Sequence, residues 1–169
     1  VNMLALLNGE PKTLSLPQIL DCYIEHQESV ITRRTQFELD KALARAHIFE
    51  GYKIALDNID EIVELMKTSK SIPESKENLM SRYGLSELQA QAIVDMTLGK
   101  LTGLERQKIE DELKEKYEFI KECMEILADH KKVLDIVKTE SLNLRDKYAD
   151  ERRTEISAVS GEVDIEDLI

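Results

Sequence analysis

The chain predicts a mainly α fold: a long antiparallel two-helix coiled coil with a small globular helical tip, plus a short β-hairpin or strand at its base. Three observations lead there. After Pro17 no Gly or Pro interrupts the chain until beyond His47. A second uninterrupted run, Leu104 to Asp129, spaces apolar residues alternately by four and three. Between the two runs, Gly51, Pro73, Gly84 and several capping signals cut the chain into short helices.

Each element has a local cause. Met3 to Leu7 is apolar, Asn8-Gly9 follows, and Lys12 to Leu16 resumes. Asn-Gly accepts positive φ at both places, which predicts a hairpin over 3–15. Ser15-Leu16-Pro17-Gln18 is a helix start, with Ser at the cap, Pro in the first turn and Gln reaching back. In the helix that follows, Tyr23, Val30, Phe37 and Ala44 recur every seventh residue and form the expected seam. Gln27, Arg34 and Lys41 occupy the places between, their long stems covering apolar surface.

Gly51 marks an expected bend. Ile54, Ile59, Ile62, Val63 and Leu65 then give a short amphipathic helix. Ser71-Ile72-Pro73-Glu74 and Ser86-Glu87-Leu88-Gln89 are two more capped starts, with Gly84 ending the helix between them. The helix expected over 87–98 is apolar on nearly every side, so it needs burial on more than one face. One of those faces is expected to meet a second copy of the chain. Thr102-Gly103-Leu104-Glu105 is a further capping box, and Leu113, Tyr117, Ile120, Met124, Leu127, Lys131 and Leu134 make the returning seam. Leu104 to Asp129 would be roughly 40 Å long at 1.5 Å per residue. The expected divisions are a base hairpin at 1–15, an outgoing helix at 16–50, a tip at 51–103, returning coiled-coil helices at 104–149, and a return strand with an acidic tail at 150–169.

The bulk numbers restrict function. The 169 residues suffice for one domain or one elongated module. Aromatics are 5% and Trp is absent, so the core is aliphatic. A net charge of −11 is the wrong sign for holding phosphates, so most of this chain should stand away from any nucleic acid or repel it. The first residue, Val1, suggests a piece of something longer. Cys22 and Cys123 form no C-x-x-C pair and read as buried thiols. No apolar run nears the ~20 residues of a membrane span. His26, His47 and His130 lack metal-ligand spacing, no Gly-rich phosphate loop is present, and the 34 acidic residues are spread along helix faces. His47 is expected to serve as a hydrogen-bonding group within the structure.

Three runs carry a family likeness. They are Ile31 to Leu65, with R-R-T and R-A-H-I inside it; Gln89 to Met96, followed by L-T-G-L-E at 101–105; and D-E-R-R-T-E-I at 150–156. With N-M-L-A-L-L-N-G-E-P-K at 2–12 and the closing E-D-L-I, the whole chain resembles the A subunit of bacterial DNA gyrase and its relatives among the type IIA topoisomerases. That resemblance implies the coiled-coil arm and DNA exit gate of the breakage-reunion region: a non-catalytic part of an ATP-dependent enzyme that passes one duplex through another and negatively supercoils DNA.

The resemblance also implies the partners. They are a homodimer through the tip, the gyrase B subunit in an A2B2 holoenzyme, and a double-stranded DNA segment passing between two arms, in the cytoplasm and without a membrane. ATP and magnesium belong to the B subunit, so no catalytic, cofactor or metal residue is expected here. The nucleophilic tyrosine is expected upstream, because Arg82-Tyr83 runs on into Gly84-Leu85 and not into the family's Thr and Glu. The expected tip-to-tip contacts are Leu88, Ile93, Val94, Met96, Leu98 and Leu101. Arg33, Arg34, Arg152 and Arg153 are the basic spots that would touch DNA or the cutting core near the base, salt bridges with neighbouring acids being the plainer reading. Two other readings stay open: the equivalent arm of the topoisomerase IV A subunit, and a stand-alone coiled-coil adaptor.

Overall fold

The computed structural model describes residues 3–154 and 156, and excludes the side chains of Leu98 and Leu101. It divides into two compact units, Val1–Val137 and Lys138–Ile169.

The first unit opens with a hairpin. β1 (Met3–Leu7) pairs antiparallel with β2 (Glu10–Leu14), from Met3 opposite Leu14 to Leu7 opposite Glu10. Asn8 and Gly9 turn the chain at φ 53° and 84°, the left-handed pair that a two-residue hairpin requires. Leu4 and Leu6 remain exposed on β1.

Helix α1 (Leu16–Asp57) follows directly. Gln18 Oε1 accepts the Ser15 backbone N–H at 2.8 Å, and Pro17 needs no donor in the first turn. The helix is 42 residues long, roughly 60 Å at 1.5 Å per residue. It is not interrupted at Gly51. The glycine is buried inside the helix, and α1 continues for two more turns.

Helix α5 (Gly103–Ala128) returns along α1 in the opposite direction. Asp57 meets Arg106, Glu50 meets Tyr117, and Glu28 lies near His130, so rising numbers on one helix meet falling numbers on the other. The seam is not the one that the recurrence of Tyr23, Val30, Phe37 and Ala44 predicts. Leu39, Ala42, Ala46, Phe49 and Leu56 of α1 pack with Ile109, Leu113, Ile120 and Cys123 of α5, and Ile31 and Thr35 are buried nearer the start of α1. Tyr23 and Phe37 are exposed. Small Ala42 and Ala46 lie in the seam, and this register leaves Tyr23 and Phe37 outward while Phe49 turns in. On α5, Leu113, Ile120 and Leu127 face inward as expected, whereas Tyr117 and Met124 are about half exposed.

The tip is built from the end of α1 together with α2 (Ile59–Thr68), α3 (Ile72–Tyr83) and α4 (Glu87–Val94). Ala55, Ile62, Leu79, Leu85, Ala90 and Ile93 form its core. Ser71 Oγ accepts the Glu74 N–H to start α3, and Gly84, at φ 66°, ends it. α4 stops at Val94, short of the expected 98, and a 3-10 turn covers Leu98–Leu101. The capping box expected at Thr102 and Glu105 does not form. The Thr102 hydroxyl donates to the Gly99 carbonyl, and Glu105 pairs with Lys108 at 2.5 Å.

Extended backbone at Asp129 separates α5 from α6 (His130–Tyr148). Val133 and Val137 pack against Ile31 and complete a third cluster in the first unit. In the second unit the later turns of α6 expose Leu144 and Tyr148, and residues 149–154 are irregular. The return strand expected within 150–169 is absent at 150–154; Glu155 and residues 157–169, with the acidic tail, lie outside the described residues.

Candidate functional site

The tip offers the most developed constellation in the chain, and the first turn of α4 is its centre. Ser86 and Gln89 close a reciprocal cap: Gln89 Oε1 accepts the Ser86 N–H at 3.0 Å, and Ser86 Oγ accepts the Gln89 N–H at 3.2 Å. The same two side chains reach α1. Gln89 Nε2 donates to the His47 carbonyl at 2.7 Å and lies 3.3 Å from His47 Nδ1. His47 Nε2 lies 2.7 Å from Ser86 Oγ.

The cap fixes the oxygen of Gln89 on Ser86, so its NH2 faces Nδ1. This arrangement suits the tautomer in which Nδ1 accepts and Nε2–H donates to Ser86 Oγ. A hydrogen-bonding role for His47 was legible in the sequence. Its partners were not, and Gln89 read only as a cap. The available signal was a Gln placed between apolar residues on a helix that buries several faces.

Gly51 lies one turn along α1. A Cβ there would stand 2.9 Å from Gln89 Cβ, so only glycine admits α4 at this distance. Glu50 Oε2 is 3.9 Å from the same Nδ1, and Tyr117 of α5 donates its hydroxyl to Glu50 Oε1. That bond, then burial, then the Glu50 charge, raise the Tyr117 pKa above its ordinary value.

The six expected contact residues divide. Leu88 is 69% exposed at the start of α4, and Val94 and Met96 are half-buried at its end. Ile93 is 2% exposed and belongs to the tip's own core. The side chains of Leu98 and Leu101 fall outside the described residues. Ile59, Ile62, Val63, Met66, Ile93, Met96 and Thr97 line an apolar notch of about 140 Å³.

The basic residues lie elsewhere. Arg33 Nε donates to the Ser29 carbonyl at 3.4 Å, and Arg34 borders a groove with Thr35, Glu38 and Phe119. In the second unit Arg153 pairs with Asp150 at 3.1 Å, and Arg152 Nε donates to the Thr154 carbonyl. Tyr83 donates its hydroxyl to Glu61, which also takes Arg82 at 2.8 Å. Burial first, then Glu61, hold that phenol above its ordinary pKa, the wrong direction for a phenolate nucleophile. Among the described residues no group of three or more His, Cys, Asp or Glu side chains is placed to hold a metal, and no helix is long and apolar enough to cross a membrane.

Fold and site together define a class: a two-helix arm that carries a compact helical tip on a polar joint. The chain belongs to the family of DNA gyrase/topoisomerase IV A subunits, whose description matches residues 1–142. It is 54% identical over its whole length to the DNA gyrase A subunit of Clostridium acetobutylicum and 54% to that of Halalkalibacterium halodurans, covering 20% of each. It is 50% identical over 99% of its length to the DNA gyrase A subunit of Staphylococcus aureus, covering 19% of it. The chain thus spans about a fifth of the length of the relatives it matches.

Proposed function

We propose that this chain is the dimerisation arm and DNA exit gate of a gyrase A subunit, within an enzyme that passes one duplex through a cut in another and supercoils it. The observation that carries this reading is a compact tip, mounted between the end of α1 and the start of α5, with Leu88, Val94 and Met96 open or half-open on α4 and the loop after it. Two such tips meet through these residues, and the notch between α2 and Met96 receives a partner side chain. The arms enclose a space in which the transported duplex waits. At −11 net charge the chain gives a polyanion no general hold, which favours release once the tips part. ATP hydrolysis and magnesium belong to the B subunit, and the tyrosine that cuts DNA belongs to the rest of the A subunit.

The test is the solution mass of the chain by light scattering across a concentration range. The expected mass is near twice 19.4 kDa. Leu88→Glu should shift the equilibrium toward monomer and leave the tip folded, because Leu88 is exposed and outside the tip core. A monomer at every concentration, with or without the substitution, would refute self-association through the tip.

A further inference from the structure

We infer that His47 and Gln89, seated on Gly51, are positioning residues that lock the tip to the arm so that both move as one lever; this rests on the exit-gate reading above. The argument begins with what apolar packing leaves undecided. Ala55 of α1 lies in the tip core with Ala90 and Ile93, and the attraction between such apolar groups has no direction of its own. Hydrogen bonds have direction, and a satisfied network specifies one arrangement. Among the described residues, the side-chain hydrogen bonds joining the start of α4 to α1 all run through His47.

Two features make this a lock. The first is shared atoms. Ser86 Oγ takes both the Gln89 N–H of its own helix and the His47 Nε2–H, and the Gln89 amide serves the Ser86 N–H with its oxygen and His47 with its nitrogen. Sliding α4 along α1 therefore disturbs the cap of α4 at the same time, so docking and helix initiation are one event. The second is the seat. Gly51 presents bare backbone to Gln89 Cβ and Cγ, and no other residue type leaves that space. The lock also continues across the arm, because Glu50, one residue before the seat, takes the Tyr117 hydroxyl from α5. Both arm helices are thus held to the joint. With it closed, the gate opens where the two tips meet or at the base of the arms, and not by bending between tip and arm.

The experiment uses the full-length A subunit in its holoenzyme with the B subunit, carrying His47→Leu, His47→Gln or Gly51→Ala. Spin labels at Gln36 on the arm and Asn78 on α3, both exposed, are placed in one A subunit per enzyme on a background without other reactive cysteines. Electron paramagnetic resonance then reads the arm-to-tip distance distribution. Supercoiling rate and DNA cleavage level are measured alongside. His47→Leu keeps the bulk and removes the two contacts of the ring nitrogens, leaving only the bond from Gln89 to the backbone carbonyl at 47, so it should broaden the distribution and raise the undocked population roughly 10-fold. Supercoiling should slow while cleavage stays at the wild-type level, since the lock touches no cutting residue. His47→Gln restores a donor to Ser86 and should return both readouts toward wild type, which a purely space-filling role would not produce. Gly51→Ala attacks the same joint without touching His47 and should broaden the distribution as well. An unchanged narrow distribution in both His47→Leu and Gly51→Ala would overturn the lock. A broadened distribution with wild-type supercoiling would leave the lock standing and overturn the exit-gate reading.

Discussion

Replacing Gly51 with Ala reverses the sign that helix propensity alone assigns. In an open helix interior, Ala is favoured over Gly by about 1 kcal/mol. Here the new Cβ falls 2.9 Å from Gln89 Cβ, 3.0 Å from its Cγ and 3.5 Å from its Cα. Carbon atoms in contact prefer about 3.5–4.0 Å, so the nearest pair is short by at least ~0.6 Å. The obstructing atom is no flexible tip; it is attached to the backbone of α4, which must move outward. Overpacking of this kind costs about 1–3 kcal/mol. The same movement stretches the 2.7 Å bond from Gln89 to the His47 carbonyl, worth about 1 kcal/mol. Subtracting the propensity gain leaves a net loss of about 1–3 kcal/mol. In a chain of this size each kcal/mol lowers the midpoint by about 2–4 °C. The assay is thermal unfolding by circular dichroism, with Gly103→Ala as control, because nothing lies within 4 Å of a Cβ at Gly103. Gly103→Ala should be neutral or slightly stabilising. If Gly51→Ala matches it or raises the midpoint, the seat for Gln89 is not a tight contact and the reasoning fails.

Two further outcomes follow from the same structure. Leu79 is fully buried in the tip core, so Leu79→Ala should cost about 2–5 kcal/mol in urea unfolding, whereas Leu104→Ala, at an 80% exposed site, should change stability by less than about 0.5 kcal/mol. The Tyr117 phenol is raised in the folded protein, so its contribution is complete below the ordinary tyrosine value near ~10 and is lost as pH climbs through the raised folded value. Wild type should therefore lose more stability than Tyr117→Phe over that alkaline range, and equal losses in the two proteins would remove the Glu50 bond from consideration.

What the sequence disclosed was local. Asn8-Gly9, Ser15 with Gln18, Ser86 with Gln89, and Gly84 each act within a few residues, and each does in the structure what its chemistry predicts. Register was less legible. Tyr23, Val30, Phe37 and Ala44 form a repeat as regular as the true one, and α5 selects the face that carries Ala42 and Ala46. Gly51 illustrates the same limit. Read alone, a glycine after a long helix signals a bend; its actual task is set by Gln89, thirty-eight residues further on. Thr102 and Glu105 had the spacing of a cap but found other partners, equally distant in sequence, in Gly99 and Lys108. Among the expected contact residues, Ile93 shows that an apolar helix does not announce which of its faces is spent on its own core.

Ala55 and Leu56 are neighbours in α1, yet Ala55 lies in the core of the tip and Leu56 in the seam of the arm. One peptide bond thus joins two hydrophobic clusters, with no linker between them. For folding, this makes α1 a shared spine. Melting its last turns exposes apolar surface in both clusters at once, so the tip has no low-energy route to open by itself, and its backbone amides should exchange with solvent in the same cooperative step as those of the arm.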